Sequence, residues 1–392
     1  MQAVILAAGK GIRFLPLSAA RPKPLFSIFG KTILEYNLDE LNGLVSEVII
    51  IVGYKKEMMI EKIGEKYGEM KITYIEDKKI EGTGSSAKLA YSHLEDKFLL
   101  LNGDDFYAKE DIKKAIDSCP SILVKEHDDP SCFGVIGEEE GYAKSIVEKP
   151  SQPASKLVNS ALYCLPKSIF DYEIEKSARG EYEFTDYVRK FIREKKLHIC
   201  QAGFWAPASY PWDIFEVVPY LFDKQKKERK GKVEKGAVLK GEVIVKEGTI
   251  IKSGAYIEGP VYIGRNCTIG PNCFLRAGTV IEDNCRIGQA VEVKNSLIGK
   301  GTYISHLSYV GDSIIGENCN LAAGTIVANL RHDNETVKTM IKEELIDTKR
   351  IKLGTIMGDN VKTGVNTIIY PGRKIWDNKT TLPGEKVEKD IN

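Results

Sequence analysis

Residues 251–287 read IKSGAYIEGPVYIGRNCTIGPNCFLRAGTVIEDNCRI, and an aliphatic residue returns at every sixth position of this stretch. Neither an α-helix nor a period-two hairpin sustains a period of six. Such a period is typical of a parallel β-helix, in which each hexad forms one side of a coil. The full series, with two changes of register, is Val233, Leu239, Val245, Ile251, Ile257, Ile263, Ile269, Leu275, Ile281, Ile287, then Ile298, Ile304, Val310, then Ile315, Leu321 and Val327.

Cysteines follow the same repeat. Four of the eight lie four residues after a repeat aliphatic: Cys267, Cys273, Cys285 and Cys319. The pattern resembles that of the hexapeptide-repeat family, in which three hexads make one coil of a left-handed β-helix and the fourth residue fills a small inward-facing slot. Since the chain has no C-x-x-C pair, we expect buried core thiols rather than zinc ligands or disulfides.

The chain before the repeats has a different pattern, in which short apolar runs alternate with segments of helical spacing. The predicted strands are Ala3–Leu6, Val48–Val52, Ile72–Ile75 and Phe98–Leu101. The predicted helices are Thr32–Leu41, Lys56–Tyr67, Ser85–Leu94 and Lys109–Ile116. This alternation predicts an α/β domain with a largely parallel, Rossmann-like sheet, whose ligands gather at the carboxyl ends of the strands.

Charge is balanced, with 56 basic and 55 acidic residues and a net charge of +1, so nothing favours a nucleic-acid partner. The apolar run at residues 3–8 is too short for a membrane span or a signal peptide, which favours a cytoplasmic protein without a membrane partner. Residues 223–235 are almost all charged and predict a linker. We therefore expect domains at 1–222 and 236–380, with a C-terminal tail at 381–392.

A glycine-rich turn, Leu6-Ala7-Ala8-Gly9-Lys10-Gly11-Ile12-Arg13, follows the first predicted strand, and Arg21-Pro22-Lys23-Pro24 comes soon after. Small residues let the backbone approach a phosphate chain and cradle it with N–H groups. A dinucleotide fingerprint is excluded because Phe14 stands where its third glycine belongs. A P-loop ending at Gly30-Lys31-Thr32 is excluded because Leu25 replaces its first glycine.

With Arg13 and Lys23 at these spacings, the segment resembles the signature of the sugar-1-phosphate nucleotidyltransferases. The resemblance extends over the first domain and implies roles for further residues. It places Ala8, Gly9, Gly11, Gly82 and Thr83 at the nucleotide. It also assigns sugar and sugar-phosphate contacts to Glu148, Lys149, Asn159 and Thr185, and Mg²⁺ to Asp104 and Asp213.

The resemblance also implies the chemistry, in which a sugar-1-phosphate oxygen attacks the α-phosphorus of UTP or dTTP and pyrophosphate leaves. Arg13 and Lys23 would stabilise the triphosphate and the departing pyrophosphate, and Lys149 would hold the acceptor. No general base is needed, because the attacking oxygen is already ionised. Positioning and charge stabilisation therefore dominate this reaction.

A second motif lies in the repeat region, where residues 305–313 read SHLSYVGDS. It resembles the acetyltransferase centre of the bifunctional UDP-N-acetylglucosamine pyrophosphorylase/glucosamine-1-phosphate N-acetyltransferase family. The resemblance implies that His306 is the general base and that acetyl-CoA is a co-substrate. An imidazole can accept an amine proton near neutral pH. Residues implied to shape the acceptor pocket are Tyr309, Asn320, Asn329 and Lys338.

The sequence departs from that family between Asn329 and Gly354, where a charged insertion interrupts the hexads. Arg331-His332 also replaces an aromatic-acidic pair of the bacterial enzymes, which puts the acceptor of the second reaction in doubt. The leading hypothesis is a bifunctional, homotrimeric enzyme that makes UDP-N-acetylglucosamine. A monofunctional glucose-1-phosphate thymidylyl- or uridylyltransferase with a structural β-helix is one alternative, and a non-catalytic regulatory subunit is another.

Overall fold

The computed structural model describes residues 1–392, which form two compact units. The first combines Met1–Lys10 with Ile33–Pro207, and the second combines Gly11–Thr32 with Ala208–Asn392. The chain thus enters the second unit early, returns to the first, and leaves it again after Pro207. None of its helices is both long and apolar enough to cross a membrane.

Short strands precede Ala208 and alternate with helices. The strands are β1 (Gln2–Ala7), β2 (Ser27–Ile28), β3 (Lys31–Thr32), β4 (Glu47–Val52), β5 (Lys66–Tyr67), β6 (Met70–Glu76), β7 (Lys97–Asn102), β8 (Asp105–Tyr107), β9 (Ser121–Glu126), β10 (Gly134–Glu139), β11 (Tyr142–Glu148), β12 (Leu157–Pro166), β13 (His198–Gln201) and β14 (Trp205–Pro207). The α-helices are α1 (Ile33–Leu41), α2 (Lys56–Ile63), α3 (Thr83–Lys88), α4 (Lys109–Asp117), α5 (Phe184–Glu194) and α6 (Ile214–Asp223).

The first unit is built on a ten-stranded sheet of order β10-β11-β13-β9-β12-β7-β1-β4-β6-β5. The four predicted strands are confirmed as β1, β4, β6 and β7, and they lie side by side and parallel to one another. The sheet is mixed rather than largely parallel, because β12 pairs antiparallel with both β7 and β9. Two predicted helices are too long. Helix α2 ends before Gly64, whose φ of +75° breaks the helix, and Ser85–Leu94 divides into α3 and a separate 3₁₀ turn.

The second unit is a left-handed parallel β-helix with three faces, each a parallel sheet. Face 1 contains Lys232–Val233, Ile250–Ile251, Thr268–Ile269, Arg286–Gln289, Tyr303–His306 and Asn320–Leu321. Face 2 contains Val238–Lys240, Tyr256–Glu258, Phe274–Leu275, Glu292–Lys294, Tyr309–Gly311, Ile326–Val327, Ile368–Ile369 and Lys386–Val387. Face 3 contains Val243–Val245, Val261–Ile263, Thr279–Ile281, Leu297–Ile298, Ile314–Ile315, Ile356–Met357 and Lys374–Ile375.

The hexad series forms the interior of this β-helix, as predicted. Its members from Val245 to Val327 are buried in one continuous core, whereas Val233 is 42% exposed because it lies at the open end. Each early coil is made of three complete hexads, so Ile251 pairs with Ile269. Later coils are one residue shorter, so Ile287 pairs with Ile304, and this shortening explains the change of register in the sequence.

The four repeat cysteines are buried in that core, which confirms their predicted position. Cys267 and Cys285 occupy equivalent places in successive coils. The thiol of Cys267 donates to the carbonyl of Glu282, and that of Cys285 donates to the carbonyl of Gly299. They therefore act as small apolar fillers that also satisfy a backbone acceptor.

Face 3 is covered by other parts of the second unit. Its outward residues Ile244, Tyr262 and Val280 are buried, although they alternate with core residues along their strands. The centre of the Phe29 ring lies 4.9 Å from the centre of the Tyr262 ring and 6.3 Å from that of Phe222 in α6. The early segment 11–32 and α6 thus bury part of this face.

The predicted domain boundaries therefore need correction. Segment 11–32 and α6 were expected in the first domain, but they pack with the β-helix. The expected linker 223–235 contains the first strand of face 1, Lys232–Val233, which pairs with Ile250–Ile251. The expected tail 381–392 contains Lys386–Val387, which pairs with Ile368–Ile369 and extends face 2. Charge alone does not separate a linker from a β-helix edge, because outward positions tolerate charge.

The charged insertion forms an antiparallel hairpin of Lys338–Ile341 with Glu344–Asp347. The hydroxyl of Thr339 donates to the carbonyl of Gly372 at 2.8 Å, and Arg373 donates to the carbonyl of Lys338 at 2.9 Å. The hairpin is thus fastened to the next coil. The coils continue across it, because Ile314 pairs with Ile356 on face 3.

Candidate functional site

In the first unit, Asp104 follows β7 in a turn that approaches β1 closely. The N–H of Gly103 donates to the carbonyl of Leu6 at 2.9 Å. A Cβ at Gly103 would lie 2.9 Å from Ile5 and 3.1 Å from Ala7, so only glycine permits this approach. The turn therefore holds Asp104 at the carboxyl end of the central strands, beside the end of β1 that leads to Ala8 and Gly9.

The neighbouring Asp105, which sequence reasoning did not single out, has a structural role. Its buried carboxylate accepts hydrogen bonds from the Trp205 indole at 3.2 Å and from the Asn102 amide at 3.4 Å. Since Trp205 lies in β14, which pairs with β8, the turn that carries Asp104 is held on both sides. Asp105 therefore stabilises the turn on which Asp104 lies.

Gly82 and Thr83 begin α3 and are fixed against the segment that precedes α5. Gly82 has a φ of +127°, and a Cβ there would lie 2.5 Å from the carbonyl oxygen of Tyr182. The hydroxyl of Thr83 accepts the N–H of Phe184 at 3.0 Å, and Gly84 donates to Tyr182 at 2.7 Å. The predicted nucleotide loop and the residues around Thr185 therefore form one connected structure.

Glu148, Asn159 and Thr185 are brought together, although they come from β11, β12 and α5. A Cβ at Gly134 would lie 3.2 Å from a Glu148 carboxylate oxygen and 3.4 Å from the Asn159 Cβ. The Thr185 hydroxyl lies near the Glu148 carboxylate, and it is buried without a hydrogen-bond partner. Burial is the main cause that raises the pKa of Glu148. The exposed Lys149 lies 3.9 Å from that carboxylate.

Sequence reasoning missed the residues that surround this cluster. Arg179 pairs with Glu183 and lies 3.7 Å from Glu148. The Asn159 amide donates to the hydroxyl of Tyr163 at 2.6 Å, in the buried interior. Arg179 had a detectable signal, since it is an arginine beside glycine in a loop just before α5. Tyr163 had none, because it reads as an ordinary apolar residue of β12.

In the second unit, Gly11, Arg13 and Lys23 belong to one folded segment. Gly11 has a φ of +62°, and a Cβ there would lie 3.0 Å from that of Lys23. The Ser18 hydroxyl donates to the Gly11 carbonyl at 2.7 Å, which closes the loop. Arg13 lies in a short 3₁₀ turn, with its guanidinium 5.5 Å from the centre of the Tyr210 ring. Lys23 is buried, with its ammonium 5.5 Å from the Phe14 ring.

Asp213 lies close to these two cations. Its carboxylate accepts the N–H of Tyr210 at 2.7 Å. Burial raises its pKa to about 6, against the opposing effect of that hydrogen bond and of Lys23 and Arg13. A desolvated carboxylate is a hard oxygen ligand whose charged form a bound cation would stabilise, so Asp213 fits a divalent metal. No group of three or more His, Cys, Asp or Glu side chains in the chain is arranged to hold a metal ion alone.

A second polar cluster lies at the end of face 2. The Asn329 amide lies 3.3 Å from the Tyr309 hydroxyl and also donates to the carboxylate of Asp312. Gly311 makes this possible, since a Cβ there would lie 2.5 Å from the Tyr309 hydroxyl and 2.7 Å from the Asn329 amide. Two of the predicted acetyltransferase residues thus meet around a glycine.

Asp312 and Lys294 join this cluster and were also missed. The ammonium of Lys294 lies 2.9 Å from the Asp312 carboxylate, which also accepts the Asn295 amide at 2.7 Å. Lys294 pairs with Gly311 of the next coil, beside Asp312. The sequence signal for both residues is therefore a charged residue one coil away from a predicted site residue.

The other predicted residues of this site lie elsewhere on the β-helix. His306 is exposed at the end of its face 1 strand, and the exposed Leu307, with φ of +48°, turns the chain toward face 2. Asn320 is exposed on face 1, one coil beyond Tyr303. Lys338 is exposed on the hairpin. Of the five predicted residues, only Tyr309 and Asn329 are therefore in contact within one chain. The other three, His306, Asn320 and Lys338, lie at separate positions.

Known proteins match this chain over both units. The Nucleotidyl transferase family matches residues 2–212, and the GMPPB C-terminal domain family matches residues 257–390. The bifunctional protein GlmU of Methanocaldococcus jannaschii is 43% identical over 396 residues, covering 100% of this chain and 96% of the relative. The chain belongs to this bifunctional family.

A second relative carries both activities in its name. It is the bifunctional sugar-1-phosphate nucleotidylyltransferase/acetyltransferase of Sulfurisphaera tokodaii, which is 38% identical over 100% of this chain and 98% of its own. Among solved structures, a putative glucose-1-phosphate thymidylyltransferase from Bacillus anthracis has a TM-score of 0.52 at 22% identity, covering 58% of this chain and 98% of that one. This likeness concerns the fold alone. The full-length relatives favour the bifunctional enzyme over the monofunctional alternative.

We predict that Gly311→Ala in the bifunctional enzyme removes most acetyl transfer and leaves nucleotidyl transfer nearly unchanged. The added methyl group would displace the Tyr309 hydroxyl and the Asn329 amide, and displacement of a site by about 1 Å costs on the order of 10²-fold in rate. Thiol release from acetyl-CoA and pyrophosphate release are measured on one preparation. Full acetylation by the variant would show that this pair lies outside the site.

Proposed function

We propose that the enzyme makes UDP-N-acetylglucosamine in two steps, acetylation of glucosamine-1-phosphate by acetyl-CoA and then uridylyl transfer from UTP. The observation that carries the proposal is the presence of two separate polar clusters. One surrounds Glu148 and Thr185 in the first unit, and the other surrounds Tyr309 and Asn329 on the β-helix. Two full-length relatives support it, because one is named as bifunctional and the other as both a sugar-1-phosphate nucleotidylyltransferase and an acetyltransferase.

In uridylyl transfer, the phosphate oxygen of the sugar attacks the α-phosphorus of UTP and the bond to pyrophosphate breaks. Arg13 and Lys23 stabilise the charge of the triphosphate, and their common segment keeps them together. The backbone at Ala8, Gly9 and Gly11 lies along the phosphates, since glycine there leaves the N–H groups accessible.

Binding of the sugar falls to the cluster around Gly134. The Glu148 carboxylate accepts hydrogen bonds from the sugar hydroxyls, the Asn159 amide donates to them, and Thr185 limits the pocket. Lys149 holds the phosphate of the acceptor. Its exposed ammonium and the guanidinium of Arg179 offset the negative charge of Glu148 and Glu183. Gly82 and Thr83 position the nucleobase. Since thymine differs from uracil by one methyl group, the choice between dTTP and UTP depends on whether that methyl group fits.

Asp104 and Asp213 are the residues that would hold Mg²⁺. Magnesium usually binds through one or two carboxylates together with substrate phosphates, so even one aspartate can meet that requirement. When bound, it neutralises phosphate charge in the transition state. The chain's own contribution is to fix the Asp104 turn through Gly103 and to keep Asp213 dry beside Lys23.

In acetyl transfer, the amine of glucosamine-1-phosphate attacks the thioester carbonyl and the thiol of coenzyme A leaves. His306 takes the proton of the amine, while Tyr309, Asn320, Asn329 and Lys338 bind the sugar phosphate. Lys294 adds a cation to this set, held by Asp312. Several of these residues lie apart within one chain, so we propose that a second protein surface completes the site.

We propose that a homotrimer supplies that surface and that the enzyme works in the cytoplasm without nucleic-acid or membrane partners. Face 3 is covered by segment 11–32 and α6, which leaves faces 1 and 2 for association. Outward residues there are apolar and partly exposed, such as Ile250 at 38% and Tyr303 at 48%. Cyclic symmetry would close such flat faces.

Light scattering of the intact enzyme should therefore give the mass of three chains. Tyr303→Glu should reduce that mass, because it places a charge in the apolar contact. Lys349→Glu, on the insertion, serves as the control. A monomeric wild type, or a trimer that Tyr303→Glu leaves intact, would contradict the proposed use of face 1.

We predict that Asp104→Ala abolishes Mg²⁺-dependent pyrophosphate release while acetyl transfer survives. The variant loses a carboxylate ligand in the first unit, whereas the residues assigned to acetylation all lie in the β-helix. A coupled pyrophosphate assay over a range of Mg²⁺ concentrations measures the loss. Asp117→Ala, at the end of α4, is the matched control, and wild-type release by Asp104→Ala would mean that the metal binds elsewhere.

We predict that His306→Ala removes acetyl transfer but leaves uridylyl transfer nearly unchanged. Loss of a general base costs about 10²–10⁴-fold in rate. Thiol release with glucosamine-1-phosphate and acetyl-CoA is followed beside pyrophosphate release. If His306→Ala retains full acetylation, another base acts, and His332 is then the next candidate. If wild type releases no thiol with any amino-sugar phosphate, the monofunctional alternative is correct.

A further inference from the structure

We infer that two carboxylates of the β-helix, Glu317 and Asp359, are positioning residues for nucleotidyl transfer and act through Arg21. Nothing in the family match assigns them to that reaction. The inference rests on the proposed function, because it concerns how the segment that carries Arg13 and Lys23 is held.

Arg21 connects this segment to two successive coils of the β-helix. One of its terminal nitrogens donates to the Glu317 carboxylate and the other to that of Asp359. The three side chains are 12%, 28% and 11% exposed, so water screens the pairs little. A guanidinium held by two carboxylates has one orientation, since its donors form a rigid planar fork.

The carboxylates are themselves fixed by the backbone of the coils. Asp359 accepts the N–H of Glu317 at 2.8 Å, and Asp377, one coil further, accepts the N–H of Asp359 at 2.9 Å. These bonds tie the two acidic residues to the stacking of the coils. The anchor of Arg21 is therefore as rigid as the β-helix.

The other end of the segment has a second anchor. The buried carboxylate of Glu282 accepts the N–H of Gly30 at 2.9 Å, and Phe29 packs edge-on against Tyr262. Lys23 lies between the two anchors and two residues from Arg21. Ser18 closes the loop that carries Arg13. The β-helix thus sets the backbone on which both phosphate-binding cations stand.

This arrangement predicts an effect on rate rather than on binding. Arg13 and Lys23 stabilise the charge of the triphosphate, and they act most strongly on the charge that develops as pyrophosphate leaves. A displaced segment should therefore lower kcat more than it raises KM. In the intact enzyme, the double variant Glu317→Gln, Asp359→Asn keeps the size of both side chains. We expect its kcat for uridylyl transfer to fall about 10- to 100-fold, with KM for UTP changed less than about threefold.

The controls separate positioning from other effects. Glu228→Gln breaks another β-helix ion pair, with Lys246 at 3.0 Å, and should leave both activities unchanged. Arg21→Met alone should lower kcat as much as the double variant, and the triple variant should lower it no further, because all act through one contact. The triple variant also avoids leaving a buried charge unpaired, so it is the one to rely on should the double variant unfold.

Three outcomes would overturn the inference while the proposed function stands. Full activity of the double variant together with loss in Arg21→Met would make Arg21 a direct ligand of the substrate. Additive losses in the triple variant would mean independent roles. If acetyl transfer falls as much as uridylyl transfer and the melting temperature also falls, the variants have a general folding defect. If wild type releases no pyrophosphate with any nucleoside triphosphate, the proposed function itself fails, and this inference fails with it.

Discussion

The constraint on which the second unit depends is the inward stack of aliphatic side chains, one from each face in every coil. Ile251, Ile269, Ile287 and Ile304 follow each other along face 1 because each must pack on the one before it. Once that column is fixed, the outward positions and the corners are fixed too. Side chains separated by one coil are therefore placed side by side, and the cluster of Lys294, Asp312 and Asn329 results from this stacking.

Much of this fold could be predicted from sequence, because its periodic part is dictated by burial. The six-residue series identified the β-helix, and the continuous apolar runs identified the four parallel strands of the first unit. What could not be predicted is what depends on contacts between distant segments. The strand β12 is such a case, since its antiparallel direction is set by its pairing with β7 and β9.

The sites show the same division. Motifs singled out Asp104, Glu148, Thr185 and Asp213 as candidate site residues. Sequence could not reveal Tyr163, whose role is defined by its neighbours in space. Arg179 and Asp312 had signals that motifs do not capture, an arginine beside a loop glycine and an aspartate stacked near Lys294. Sequence also could not reveal that Gly11–Thr32 packs on a β-helix that begins far later in the chain. Charge and composition describe a whole segment, so they cannot identify a single residue such as Arg21, whose role depends on its contacts with Glu317 and Asp359.

The hairpin within the β-helix has a consequence for how such chains diverge. Ile314 and Ile356 are separated in sequence by the whole insertion, yet they are neighbours in one sheet, as are Ile326 and Ile368. The strands on either side of the insertion pair as successive coils, although a long segment leaves and re-enters the β-helix at the corner between them. The insertion at this corner therefore leaves the pairing of the coils on either side of it intact. Two such proteins should be compared column by column, because a residue-by-residue alignment loses its register at the first inserted loop.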